Sequence, residues 1–255
     1  MPALVQTTEE APVIRPDDVW VWTGAGWRDL VRAAPMSLAY GAAFVAIGLA
    51  ATAGLWALGL SAWIPVAAGA FALLGPLLAV GLYEISRRLE ANEPLTWRAI
   101  LLVKTAAPDQ IALLGLILTM SALAWARIAQ LLFALLVGDS YVPLTEFSGF
   151  VLSTPEGLAL AALGTVVGGA IAFLIFALSA FSLPMLVERD IDVVTAINAS
   201  IAAVRRAPAA MALWAWIIAV ATAVGCATGF LGLVVAFPFL GHATWHAYRA
   251  VMGRP

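Results

Sequence analysis

The chain has 255 residues, of which 63% are apolar and 11% are charged. A soluble domain of this size carries many more charges, so the composition predicts an integral membrane protein built of α-helices. The net charge of −2 gives no electrostatic basis for binding nucleic acid. The single cysteine, Cys226, excludes an intramolecular disulfide and a thiolate metal cluster.

Residues 1–19 are acidic, contain prolines and lack the apolar segment of a secretion signal. We therefore expect a short disordered tail on the cytoplasmic side of the membrane. Residues 20–252 are predicted to form a single membrane domain. Its first segment, 20–30, is aromatic and basic, which suits a membrane interface.

Six apolar segments follow, each with roughly the 20 residues that a hydrocarbon core of about 30 Å requires. Polar connections or tight turns separate them. The sequence therefore predicts a bundle of six transmembrane helices, over residues 37–58, 63–83, 109–132, 157–187, 209–224 and 230–248.

The positions of the basic residues predict the orientation of these helices. Of the 13 Lys and Arg residues, only Arg127 lies within a span, and the three loops on one side of the membrane contain none. Because cytoplasmic segments are enriched in Lys and Arg, both termini and the two long connections are predicted to be cytoplasmic. The basic residues on this side are Arg15, Arg28, Arg32, Arg87, Arg88, Arg98, Lys104, Arg189, Arg205, Arg206, Arg249 and Arg254.

The two long connections are predicted to contain amphipathic helices that lie on the membrane surface. One covers residues 95–107, and the other covers 193–206, where Val193, Ile197, Ile201 and Val204 recur at helical spacing.

One order of elements occurs three times in the chain. It consists of a basic amphipathic segment, a proline, a span, an outer loop and a second span with a late proline. The pattern predicts three helical-hairpin repeats, over residues 20–93, 94–190 and 191–252. The alternative is that any six-span protein with surface helices has basic residues and prolines at the ends of its spans. The prolines in question are Pro35, Pro108 and Pro208 before the first span of each unit, and Pro76, Pro184 and Pro238 late in the second.

A polar cluster is predicted at the cytoplasmic end of the bundle. His242 and His246 share one helix face at i and i+4, a spacing that binds a metal ion when other helices add ligands. Glu84, Glu188 and Asp192 follow the late prolines and can point to the same region. The alternative to a metal or proton site is that these side chains anchor helix ends and hydrogen-bond to each other.

A second polar pair is predicted within a span. Arg127 and Gln130 share a face of the third span, about 27 Å from its cytoplasmic end. Arg127 can extend to outer headgroups or pair with Asp139, Glu146 or Glu156 in the outer loops. A role in transport is the alternative.

Four blocks of sequence resemble one known family. The blocks are GWRDLVRAAPMSLAYG at 26–41, GPLLAVGLYEISRRLE at 75–90, FSLPMLVERDIDVVTA at 181–196 and FPFLGHATWHAYR at 237–249. Together they are similar to a bacterial family of predicted integral membrane proteins classed as a domain of unknown function. The resemblance implies a six-span inner-membrane protein of proteobacterial type and identifies no functional residues. Some members have been labelled as similar to a cytochrome oxidase subunit, but the two histidines of this chain do not support haem–copper chemistry.

The sequence lacks a phosphate-binding loop, a metalloprotease motif and a cysteine pair. We therefore expect no cofactor and a non-catalytic accessory, assembly or scaffold role in the membrane. The expected partners are the lipid bilayer and other membrane proteins. A small transporter or channel for an unknown solute is the alternative, and an enzyme with a His/Glu metal site is a third hypothesis.

Overall fold

The computed structural model describes residues 14–138, 142 and 144–253, and every regular element within them is helical. A single 3₁₀ turn, Ser61–Trp63, precedes α3. The helices are α1 (Asp18–Arg32), α2 (Ala34–Ala57), α3 (Ile64–Leu78), α4 (Val80–Glu90), α5 (Trp97–Leu101), α6 (Pro108–Leu136), α7 (Leu144–Ser153), α8 (Pro155–Ser179), α9 (Ser182–Glu188), α10 (Val193–Arg206), α11 (Pro208–Ala227) and α12 (Leu233–Met252).

The helix starts follow from the sequence. The prolines that precede the predicted spans lie in the first turn of α2, α6 and α11, where a missing N–H breaks no helical hydrogen bond. Side-chain caps begin three other helices. Thr96, Thr154 and Asp192 each accept a hydrogen bond from the backbone N–H three residues on, at the start of α5, α8 and α10.

The prediction of an integral membrane protein with several spans is confirmed. In the part of the chain that the structure describes, five helical segments are long and apolar enough to cross a membrane: Ala34–Ala57, Ser61–Glu90, Pro108–Leu136, Pro155–Glu188 and Pro208–Ala227. The sixth predicted span corresponds to α12, which has 20 residues but is not among these five. Its C-terminal half is polar and buried inside the protein rather than apolar and exposed.

The second candidate span is interrupted between α3 and α4. Pro76 lies in the last turn of α3, and the helix breaks at Ala79. The Leu82 N–H donates to the Ala79 carbonyl (2.8 Å), which leaves the Leu78 carbonyl without a helical donor. The Tyr40 hydroxyl of α2 donates to that carbonyl at 2.8 Å. A side chain from a neighbouring helix therefore satisfies the backbone group that the break exposes.

The fourth candidate span is interrupted between α8 and α9 in a similar way. Ser200 of α10 accepts a hydrogen bond from the Phe181 N–H (3.2 Å) and donates to the Ala177 carbonyl (2.8 Å). Ser182 donates to the Leu178 carbonyl and to the Ala196 carbonyl of α10. Both breaks are thus closed by side-chain hydroxyl groups.

The helices form two packed groups joined by α4 and α9. In one group, α12 packs against α1, α2, α4 and α11; in the other, α3 packs against α6 and α6 against α8. In the second group, the ring of Trp125 of α6 packs between α3 and α8, where Gly69 and Gly168 leave room for it. Because α2 packs mainly on α12 rather than on α3, which follows it in the chain, residues 20–93 do not form a closed hairpin. The threefold repeat stays a prediction.

The connections match the predictions unevenly. Only Trp97–Leu101 is helical within the predicted 95–107 helix, and beyond it the Ala106 N–H bonds to the Val187 carbonyl at the end of α9. By contrast, α10 covers Val193–Arg206 as predicted. The connection between α6 and α8 contains α7, which the sequence did not indicate. Most of the predicted tail lies outside the described residues, and α1 begins at Asp18.

Candidate functional site

The C-terminal half of α12 is the most deeply buried polar segment of the described chain. Small residues let its neighbours approach closely. A Cβ on Gly26 of α1 would lie 2.5 Å from the Ala243 nitrogen, and one on Gly41 of α2 would lie 2.4 Å from the Val234 carbonyl oxygen. On α12 itself, Gly241 faces Leu82 of α4. Three helices, α1, α2 and α4, can therefore contact α12 closely at the same time.

His242 lies at the centre of this contact and is fully buried. Its Nε2 atom is 2.9 Å from the Ser37 hydroxyl of α2, and its Nδ1 atom is 2.8 Å from the Ser86 hydroxyl of α4. Both serines are also fully buried. The imidazole thus joins three helices through two hydrogen bonds.

Asp29 of α1 connects the second histidine to the first. Its Oδ2 atom is 2.7 Å from Nε2 of His246, and Ser86 hydrogen-bonds to the same carboxylate. Burial acts to raise the pKa of Asp29, but the hydrogen bond from His246, the charge of His246 and the hydrogen bond from Ser86 outweigh it and hold the pKa below its usual range. The carboxylate of Asp29 is therefore ionised at neutral pH.

The charge of Asp29 fixes the direction of the whole hydrogen-bond chain. A carboxylate only accepts, so Ser86 donates to Asp29 and accepts from Nδ1–H of His242. The Nε2 atom of His242 then accepts from the Ser37 hydroxyl. We call Ser37, His242, Ser86, Asp29 and His246 the histidine chain. It runs from the interior of the bundle to the half-exposed ring of His246.

A second cluster lies one turn further along α12. Arg249 pairs with Glu90 of α4 (Nε to Oε2, 2.9 Å) and with Glu188 of α9 (Nη2 to Oε1, 2.7 Å). The Tyr248 hydroxyl donates to Glu188 at 2.7 Å, and the Arg249 guanidinium lies 4.8 Å from the centre of the Trp245 ring. We call these residues the arginine cluster. It ties α4 and α9 to the end of α12.

The predicted polar cluster is therefore divided among separate sets of partners. His242 and His246 belong to the histidine chain, and Glu188 belongs to the arginine cluster. Glu84 is buried and bonds within its own helix to Arg87 (2.7 Å) and Arg88 (2.6 Å), which also pair with Glu93. Asp192 caps α10 by accepting from Thr195.

Arg127 and Gln130 lie at the other end of the bundle, on the surface of α6. Nη1 of Arg127 donates to Oε1 of Gln130 at 3.1 Å, and the pair is exposed. Asp139, one predicted partner of Arg127, lies outside the described residues.

Among the described residues, no group of three or more His, Cys, Asp or Glu side chains is arranged to hold a metal ion. The nitrogen atoms of His242 are both occupied by serine hydroxyls, which leaves neither free to bind a metal. The arrangement can hold helices in register and keep a proton at a fixed atom. It offers no approach for a substrate at Ser37, Ser86 or His242, which are fully buried.

Residues 63–188 match the model of a family described as Predicted integral membrane protein (DUF2189). This part of the chain is similar to the DUF2189 family. No curated protein and no solved structure matches the chain.

The residues matched by the DUF2189 model hold only part of the site. They contribute Ser86 and the acidic partners of Arg249, whereas Asp29, Ser37, His242 and His246 lie outside the matched range. Both polar clusters thus join the DUF2189 part of the chain to the helices that flank it. Two of the four blocks that carry the resemblance, at 26–41 and 237–249, belong to these flanking helices.

Sequence reasoning missed Asp29, Ser37, Ser86, Glu90 and Arg249 as site residues. Only Asp29 could have been identified as a site residue from the sequence, because it is an acidic residue within the aromatic stretch GWRDL. The two serines carry no such signal, because single serines are common in membrane helices.

Proposed function

We propose that this protein is a non-catalytic accessory or scaffold component of the bacterial inner membrane. One observation carries the proposal: the buried polar groups of the candidate site are bonded to one another across five helices. A substrate site needs polar groups that are free to bind a ligand. A self-satisfied junction instead gives a rigid platform on which helix faces and surface helices can bind other membrane proteins.

The proposal includes a sixth crossing by α12. With 20 residues this helix is about 30 Å long, enough to span the hydrocarbon core. Its contacts with α2 run antiparallel, since Ser37 meets His242 while Gly41 meets Pro238. A helix that lies antiparallel along a candidate span is expected to cross the membrane beside it. Its polar side chains are tolerated because they face protein and not lipid.

Six crossings put both termini on the same side, and the basic residues favour the cytoplasm. In support, helices that carry these residues are bonded together: Arg249 contacts α4 and α9, and Arg189 donates to the Met252 carbonyl at 3.2 Å. The surface helix α10 then lies at the cytoplasmic leaflet. Its buried residues face α8 and α9, Ile197 and Ile201 are half-buried at its flank, and Asn198 is exposed.

Spin labels on α10 test this arrangement. Labels at Ile197 and Ile201 are expected to contact lipid or protein, and a label at Asn198 is expected to contact water. Equal access of a water-soluble quencher to all three positions would exclude it.

A small transporter is the second candidate, favoured by the two interrupted spans. Transporters often bind ions and substrates at such breaks. Here the Leu78 carbonyl is occupied by Tyr40, and the break at Phe181 is closed by Ser200. The backbone groups at both breaks are therefore engaged within the protein, which favours the accessory role.

One experiment separates the two candidates. Protein isolated from native membranes in a mild detergent is expected to retain other membrane proteins in a fixed stoichiometry. Val194→Glu, on the exposed face of α10, is expected to release them, whereas Ala91→Glu, at the exposed end of α4, is not. The same protein in liposomes is expected to carry no proton or potassium flux above that of empty liposomes. A chain that elutes alone and conducts ions would exclude the accessory role.

A further inference from the structure

An apolar groove lies at the end of the bundle opposite the histidine chain. It has a volume of about 260 Å³, opens between α2, α3 and α6, and is lined by side chains that include Leu55, Trp63, Ala67 and Ala126. Leu55 is 18 residues beyond Ser37 along α2, so the groove lies about 27 Å from the candidate site. Within a membrane this is the opposite interface.

The groove has the dimensions of a hydrocarbon chain and not those of a helix. Along α3 it extends from Trp63 to Ala70, which is about 10 Å of helix. A groove of about 260 Å³ over this length is too narrow for an α-helix, whose diameter with side chains is about 10 Å. Trp63 is half-exposed at the groove, a position typical of indole rings at the headgroup level.

The residue that follows the groove residue Ala126 on α6 is a cation, Arg127. Gln130 lies one turn beyond Ala126 on the same face of α6, because residues at i and i+4 of a helix are stacked. Nη1 of Arg127 donates to Oε1 of Gln130 at 3.1 Å, so the guanidinium lies beside the residue that is stacked on Ala126. Gln130 is the partner of Arg127 among the described residues, and no carboxylate there neutralises its charge.

We propose that this groove binds an acyl chain of an anionic phospholipid and that Arg127 binds the phosphate of the same lipid. Arg127 lies about 28 Å from the start of α6, which is the depth of the headgroups across a core of about 30 Å. Its planar guanidinium can donate two hydrogen bonds to phosphate oxygens. The site does not depend on the accessory role, since it uses no residue of the histidine chain or the arginine cluster.

Native mass spectrometry of the detergent-solubilised protein tests the site. The lipids are dioleoyl phosphatidylglycerol and dioleoyl phosphatidylcholine, offered at equal concentration. One Arg near an anionic headgroup predicts a preference of about fivefold for phosphatidylglycerol. Arg127→Gln is expected to retain lipid but to bind the two lipids in a ratio of about one, without a preference.

Two matched variants test the groove. Ala67→Phe fills it from a position on α3 that lines it and is expected to abolish retention of both lipids. Ala53→Phe, at an exposed position of α2 that does not line the groove, is expected to behave as wild type. Equal retention of the two lipids by the wild type would overturn the proposal. So would an unchanged preference in Arg127→Gln, unchanged retention of lipid in Ala67→Phe, or a dimer that Ala67→Phe dissociates.

Discussion

Nε2 of His246 lies 2.7 Å from Oδ2 of Asp29, and this contact fastens the N-terminal helix α1 to α12. The carboxylate is almost entirely buried, although α1 is not one of the candidate membrane spans. A buried charge is stable only when it is paired and hydrogen-bonded, and Asp29 has His246 and Ser86 as partners. Loss of this charge should therefore weaken the packing of α1 against α12.

The first prediction concerns pH. The pKa of Asp29 is lowered in the folded protein, so its contribution to stability is present above the unfolded pKa of about 3.9 and is lost as the pH falls through the folded pKa. At pH 7, Asp29→Asn is expected to reduce the free energy of unfolding by about 1–3 kcal/mol. Thermal denaturation in detergent at pH 7 and at about pH 3 measures the difference. A deficit of the same size at both pH values would contradict the ionised state of Asp29.

His242 gives the second prediction. Replacing it with Ala leaves the hydroxyls of Ser37 and Ser86 without their partner and opens a cavity, at a cost of about 2–5 kcal/mol. His242→Gln, which can donate and accept, should recover part of this loss. His246→Ala is expected to cost less, because that ring is half-exposed.

Metal content distinguishes this structural role from a ligand site. The metal bound to the purified wild type and to the His242→Ala/His246→Ala variant is expected to be the same. Stoichiometric metal that is lost in the variant would mean that the histidines are ligands.

The third prediction concerns the close contact of α2 and α12. Pro238 has no N–H to bond the Val234 carbonyl, and Gly41 lies against this carbonyl. A Cβ at position 41 would be 2.4 Å from the carbonyl oxygen and 2.9 Å from the proline ring, so Gly41→Ala is expected to destabilise the protein by about 1–3 kcal/mol. A Cβ on Gly48 of the same helix would meet no atom within 4 Å, which makes Gly48→Ala the control. Equal unfolding temperatures for the two variants would show that the helices do not meet at Gly41.

The fourth prediction concerns Arg249, which is mostly buried between Glu90 and Glu188. Arg249→Met leaves two partly buried carboxylates without this cation and is expected to cost about 2 kcal/mol, between the values of exposed and buried ion pairs. Arg206→Met, at an exposed end of α10, should have little effect. The free energies of unfolding of the two variants are compared in detergent. A similar small change for both would show that the arginine cluster does not stabilise the protein.

The sequence predicted the long helices well because their signal is local. Apolar length sets the spans, and the prolines at 35, 108 and 208 set three of their starts. It also predicted α10, whose apolar residues recur at helical spacing. The helix predicted over 95–107 is shorter, because its last residues bond to the end of α9 instead of to each other.

The partners of the two histidines could not be predicted in the same way. Their spacing on α12 is visible in the sequence, but Ser37, Ser86 and Asp29 reach them from three other helices. Which helices meet is decided by close packing at Gly26, Gly41 and Gly241, and a chain with 21 glycines does not mark those three. Hydropathy does not place α12 among the candidate spans of the described chain.

The central claim is that α12 crosses the membrane beside α2, with its polar half held inside the protein. Reporter domains inserted at Gly229, in the turn before α12, and fused after Pro255 test it most directly. We predict that the two reporters lie on opposite sides of the membrane, with the one at Pro255 in the cytoplasm. Two reporters on the same side would show that α12 does not cross, and the account would be wrong.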